Sequence, residues 1–318
     1  MYSDAYALIC AESIAVLIAY FDASYNHPSS TRPDSPLLHT VGGYIGSADD
    51  WRKFRKEWCG ELRKKGVPDF HMNKYEKALS ETIQGRDLRP SDPYYGWPRE
   101  DFTPFLQRLH NVLRRKNADS FPRLEGIGQS IKKADFDSML PDELKDDPGC
   151  KSYLMFNIAS NMAHAAMWAS HNKYDDEIHY VFASGDCEDG NIARFFDSLW
   201  EYEKAQQFFR LTKEISPTGY ELQSAQTQPA IQAADIAAYE FNKLAMHCLE
   251  NNYEIDEHTA RKSVVNLCRE PNNNFPLLLA GDRMKQAIDA MAAFKRHHGG
   301  AFGQIVSPRQ RSATTNHN

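Results

Sequence analysis

Hydrophobic positions fall into two patterns along this chain: short continuous apolar runs, and longer stretches in which apolar side chains return every third or fourth residue. The runs Ala15–Asp22 (AVLIAYFD), Leu37–Gly46 (LLHTVGGYIG), Leu124–Ile131 and Glu177–Ala183 (EIHYVFA) predict strands, and Glu221–Ser224 a shorter one. Ala15–Asp22 is apolar until its terminal carboxylate, the pattern of a strand covered on both faces, and Asp22 is expected at its exit. The Pro- and Ser-rich loop His27–Pro36 then leads into Leu37–Gly46 as an antiparallel neighbour, where Gly42 and Gly43 predict a bulge or a close backbone approach. Asp69–Tyr75 (DFHMNKY) reads as a further short strand followed by a loop carrying His71.

Helical spacing is clearest over Ala48–Lys65, where Trp51, Phe54, Trp58 and Leu62 make one apolar face behind a capping Ser47. The same periodicity predicts helices over Phe102–Leu113, Phe136–Leu140, Tyr153–Ser170, Ile192–Gln207, Ile231–His247 and Leu278–Phe294. Tyr153–Ser170 has little charge anywhere on its circumference, which predicts a central helix. From Ser80 to Gly96 polar residues with Pro and Gly predict an insertion or lid, whose Tyr94, Tyr95 and Trp97 either anchor it or stack on bases. Strands alternating with helices predict an α/β fold with a helix-flanked sheet. The expected organisation is one domain over residues 1–298, with a helical insertion around 76–175 and a disordered tail over 299–318.

Composition narrows the function classes. With 37 Lys+Arg against 43 Asp+Glu the formal net charge is −6, so the chain as a whole does not attract nucleic acid and such binding requires a local basic face. The outer side of the Ala48–Lys65 helix offers one in Arg52, Lys53, Arg55, Lys56, Arg63, Lys64 and Lys65. It is either a solvated helix face or a phosphate-tracking surface, with Arg52, Arg55, Lys56 and Arg63 as candidate contacts. Six cysteines with no CxxC pair argue against a zinc knuckle and a disulfide framework. The apolar stretch Tyr6–Phe21 is interrupted by Glu12 and has no Lys or Arg before it, so neither a signal peptide nor a membrane span is expected and a cytoplasmic location is. No GxSxG, P-loop or GxGxxG motif supports a serine-hydrolase, nucleotide-binding or dinucleotide-binding reading.

Three carboxylates fall where an α/β fold would converge them: Asp22 at a strand end, Asp186 in the acidic loop Ser184–Asn191 after a strand, and Asp235 early in a helix. Asp235 stands among Ile231, Ala233, Ala234, Ile236, Ala237 and Ala238, where an isolated charge is costly unless paired or bound to a cation. Gln232 and Tyr239 share its helix face, whereas Glu240 is turned about 140° away and, with Asp189, is a secondary acid. His71 is the candidate proton donor or shuttle beside these acids. Carboxylates gathered without cysteine suit Mg²⁺ or Mn²⁺, which would activate water and neutralise a phosphodiester.

YFDAS (Tyr20–Ser24), VGGYIGSADDW (Val41–Trp51), FHMN (Phe70–Asn73) and QAADIAAYE (Gln232–Glu240), in this order, resemble the domain of unknown function 3800 family over roughly residues 15–245. The resemblance implies a ribonuclease-H-like fold with acids on the first strand, at a later strand end and on a C-terminal helix, here Asp22, Asp186 and Asp235. It also implies metal-dependent nuclease activity on DNA or RNA. Relatives commonly read DES where this chain has Asp22-Ala23-Ser24, and often carry Glu near Ser184. That difference leaves open a non-catalytic nucleic-acid-binding or protein-interaction module with a degenerate site.

Overall fold

The first apolar run becomes the middle of a sheet. The computed structural model describes residues 16–26, 36–116, 122–185, 189–213, 216–250 and 278–297. In it β1 (Val16–Tyr25) pairs antiparallel with β2 (Leu38–Ser47), which pairs antiparallel with β3 (Glu125–Lys132). On the other side β1 pairs parallel with β4 (Glu177–Ala183), and β4 parallel with β5 (Tyr220–Gln223). A two-residue strand β6 (Leu278–Leu279) adds to β3, giving the order β5-β4-β1-β2-β3-β6. Asp22 lies inside β1 rather than at its exit, because the ladder with β2 continues through Tyr25.

Alternation along β1 divides the core. Ile18 and Tyr20 join Tyr44 and Val181 under α1 (Ala48–Lys64), α2 (Met72–Ile83), α3 (Arg99–Leu113) and α8 (Pro229–Glu250). Leu17, Ala19 and Phe21 point the other way, onto α5 (Tyr153–His171), α6 (Asp189–Trp200) and α7 (Glu203–Phe209). Two helical layers thus explain the continuous apolar run. A smaller core beyond β3 joins Ile131 to Phe136 of α4 (Lys133–Met139), Phe156, and Met284 and Ile288 of α9 (Gly281–His297).

Close approach, not a bulge, accounts for the glycines of β2. The pairing register runs unbroken through Gly42 and Gly43. A Cβ at Gly42 would lie 2.7 Å from the backbone of Ala238, and one on Gly128 would lie 2.1 Å from the ring of Phe241. The alanines of α8 and these glycines therefore let the helix lie almost directly on β2 and β3.

Several expected elements differ. Asp69–Tyr75 is no strand: Phe70 and Met72 are buried at the entry to α2, which starts at Met72. The stretch 76–175 is not an excursion throughout, since β3 is a sheet strand and α5 covers the sheet. Ile192–Gln207 forms two helices, broken at Glu201 and Tyr202, and Leu278–Phe294 is a short strand followed by a helix entered at Gly281 with φ 51°. Tyr94 is buried among Tyr75, Trp97 and Phe102, so it anchors the segment and is not a free stacking surface, while Tyr95 is exposed. The tail over 299–318 lies outside the described residues. Among the described residues no helix is long and apolar enough to cross a membrane.

Candidate active site

Asp22 and Asp235 both lie on the α8 side of the sheet. By strand alternation Asp22 shares the face of Ile18 and Tyr20, and it pairs with Gly42, where α8 passes closest. Its side chain is buried, with 4% relative exposure, and Oδ1 accepts a hydrogen bond from the Ala23 N–H at 2.7 Å. Asp235 lies in the second turn of α8, 7% exposed.

The surroundings of Asp235 explain how a carboxylate persists in an alanine-rich helix. Its Oδ2 accepts the Met72 N–H at 2.6 Å, the first N–H of α2, and lies 3.1 Å from Nδ1 of His71. A carboxylate at a helix N-terminus takes up an orphan donor and faces the positive end of the helix dipole. His71 occupies the N-cap position of α2 without capping through its own side chain, so Asp235 does this from another element. One turn earlier, Gln232 Oε1 accepts Trp58 Nε1–H at 2.8 Å and Gln232 Nε2 donates to the Ala225 carbonyl at 2.8 Å, which ties α8 to α1.

His71 responds to both acids. Its contact with Asp235 raises its pKa above the ordinary 6.5, against partial burial and Lys74, and the negative charge of Asp22 adds to the rise. Asp235 contacts His71 directly, whereas Asp22 acts on it only through its charge. Asp186 lies outside the described residues. The parallel ladder brings Phe182 beside Phe21, so the β4 chain runs level with Asp22 one residue later.

Glu240 is fully buried and acts on Tyr44, whose phenol is pushed well up by burial first and by Glu240 next. Asp189 is the first residue of α6. A further pair escaped the sequence reading: buried His179 on β4 has Nε2 3.6 Å from Glu221 Oε1 on β5. Burial pushes the Glu221 carboxyl up, but contacts with His179 and Gln223 outweigh it and hold the pKa below the ordinary 4.5. Only the adjacency of β4 and β5 joins these two residues, and a single strand pattern carries no sign of it.

The basic helix is partly self-neutralised. Arg52 and Lys53 both pair with Asp49, at 2.9 and 2.6 Å, and Arg63 Nε donates to the Cys59 carbonyl at 3.1 Å. Arg55 is half-buried, whereas Lys56 is exposed. Lys56 lines a groove of about 530 Å³ between α1 and α3 together with Lys53, Lys64 and Arg115, over Glu57 and Glu61. Arg115 belongs to the basic run Arg114–Lys116 just beyond the C-terminal end of α3.

Among the described residues no group of three or more His, Cys, Asp or Glu side chains is placed to hold a metal ion. In donor chemistry the pair still fits a hard cation, because Mg²⁺ is commonly held by one or two carboxylates with water completing its shell. No protein-family model, curated protein or solved structure matches the chain.

Proposed function

We propose that this chain is a ribonuclease-H-like, metal-dependent nuclease that hydrolyses nucleic-acid phosphodiesters at Asp22 and Asp235. The observation that carries this reading is two buried carboxylates on one side of the sheet, Asp22 on the central strand and Asp235 on the helix packed against it, the latter 3.1 Å from His71. The order β3-β2-β1-β4-β5, with only β2 reversed among these five, supports the ribonuclease-H-like assignment. Asp22 and Asp235 would hold Mg²⁺ or Mn²⁺, with Asp186 as the third acid that the family resemblance implies.

When bound, the ion supplies charge neutralisation at the phosphate and a more acidic water. The protein's own contribution is placement. Met72 N–H fixes one oxygen of Asp235, and β1 fixes Asp22 in the sheet. His71, its side chain 30% exposed and its pKa raised by Asp235, would be the proton donor to a departing oxygen. Lys56, Lys53, Lys64 and Arg115 line the groove offered to the phosphate backbone.

A second reading is a nucleic-acid-binding or interaction module that keeps the fold without turnover. It draws on the absence of a third metal-ligating side chain among the described residues, and on Ala23 and Ser184. Labelled single- and double-stranded DNA, RNA and hybrid, each incubated with Mn²⁺, Mg²⁺ or EDTA, separates the two. Cleavage of any substrate that EDTA stops supports the nuclease; binding with no cleavage in either metal supports the module.

A further inference from the structure

On the opposite face of the sheet, a groove of about 880 Å³ runs between the C-terminal half of α5, the start of β4 and α7. Met167 and Phe208 open into it at 51% and 38% exposure, two of the four exposed large hydrophobic side chains among the described residues. Single exposed hydrophobes are ordinary, but these two share one concavity, giving it an apolar strip beside its polar lining. Asp175, Asp176, Glu177 and Glu203 also line the groove. The one guanidinium there is committed to the fold: Arg210 donates to the Asp176 carbonyl at 2.9 Å, the Tyr174 carbonyl at 2.5 Å and Ser170 Oγ at 3.1 Å. Arg210 itself takes left-handed backbone, at φ 55°.

We propose that this groove docks a basic amphipathic segment of a partner protein, apolar side chains against Met167 and Phe208 and Lys or Arg against the carboxylates. Charge selects the occupant. The four acids repel acidic segments and nucleic acid, and the apolar strip distinguishes an amphipathic segment from a merely cationic one. The site is separate from the Asp22–Asp235 pair and does not depend on nuclease activity.

The probe is a fluorescein-labelled helical Leu/Lys peptide of about 18 residues, five turns long, with a Leu/Glu peptide of the same apolar pattern as control. Anisotropy on the full chain is expected to show saturable binding of the basic peptide that weakens with salt, and binding at least about tenfold weaker for the acidic one. A Met167→Ser/Phe208→Ser variant and an Asp175→Asn/Glu177→Gln/Glu203→Gln variant, each with an unchanged melting curve, are both expected to lose about tenfold or more. Wild-type affinity in the serine variant, or equal affinity for the acidic peptide, overturns the proposal. Two other occupants are distinguishable. A synthetic peptide of residues 1–15, which precede Val16 beside Glu177 of the groove, binding more tightly than the basic peptide assigns the groove to this chain and overturns it. Concentration-dependent self-association without peptide, lost in the serine variant, assigns it to a second copy and also overturns it.

Discussion

Two histidines report the electrostatics of this fold with opposite signs. His71 gains the Asp235 carboxylate only on folding, so its folded pKa exceeds its unfolded value near 6.5. Its contribution to stability is therefore fully present below 6.5 and is lost as pH rises through the raised folded value. NMR titration is expected to find the His71 pKa above 6.5 in the wild type and lower in Asp235→Asn; an unchanged value would show that Asp235 is not its partner. His39 behaves oppositely. It is buried between the rings of Tyr25 and Tyr153, and burial pushes its pKa down to about 3. Stability from keeping it neutral is present above 6.5 and lost as pH falls toward 3, so His39→Gln should flatten the acid limb of a stability-against-pH curve in that window. An equally steep limb in the variant would place the acid sensitivity elsewhere. At this scale Asp235 was legible, because a charge in an alanine-rich helix demands a partner. Its partners were not, since Met72 lies 163 residues away in sequence and only the tertiary fold brings α2 to α8.

Helix-on-sheet contact sets how α8 lies on β2, and glycine makes that contact possible. Gly42→Ala would force a Cβ to 2.7 Å from the Ala238 backbone, and should destabilise by about 1–3 kcal/mol as an overpacked core site. Gly60→Ala, within α1 and with nothing inside 4 Å of the new Cβ, should stabilise by about 0.5–1 kcal/mol. Chemical denaturation of both variants measures the contrast, and a neutral Gly42→Ala would contradict the close approach. The hydrophobic pattern identified β1 and β2, which are buried on both faces, and α1, which buries one. It failed where burial and local geometry part company. Phe70 and Met72 alternate like a strand, yet both are buried at a helix entry. Tyr94 sits in a polar stretch that reads as a lid, and its aromatic neighbours come largely from the adjoining helices. The break between α6 and α7 at Glu201 and Tyr202 carries no Gly or Pro to announce it.

Across the whole molecule the three charged features divide by position: the two aspartates on the α8 side of the sheet, the cationic groove between α1 and α3, and the acidic groove on the other face. With a net charge of −6, attraction to nucleic acid needs a local basic face, and the groove between α1 and α3 is the candidate, with Lys53, Lys64 and Arg115 paired to Asp49, Glu61 and Glu57. A Lys56→Glu/Arg115→Glu variant should bind any substrate about tenfold or more weakly and show a shallower dependence of affinity on salt. Retained affinity and slope would move the backbone path away from that groove. The fold's central claim concerns the aspartates, and the most direct measurement is the rate of Mn²⁺-dependent cleavage of nucleic acid by the wild type, Asp22→Asn and Asp235→Asn at equal folded concentration. Cleavage that is abolished by EDTA and slowed at least about a hundredfold in each variant is the predicted result, since each would remove a carboxylate charge from the proposed metal site. Equal cleavage by all three proteins would contradict it and place any catalytic centre elsewhere.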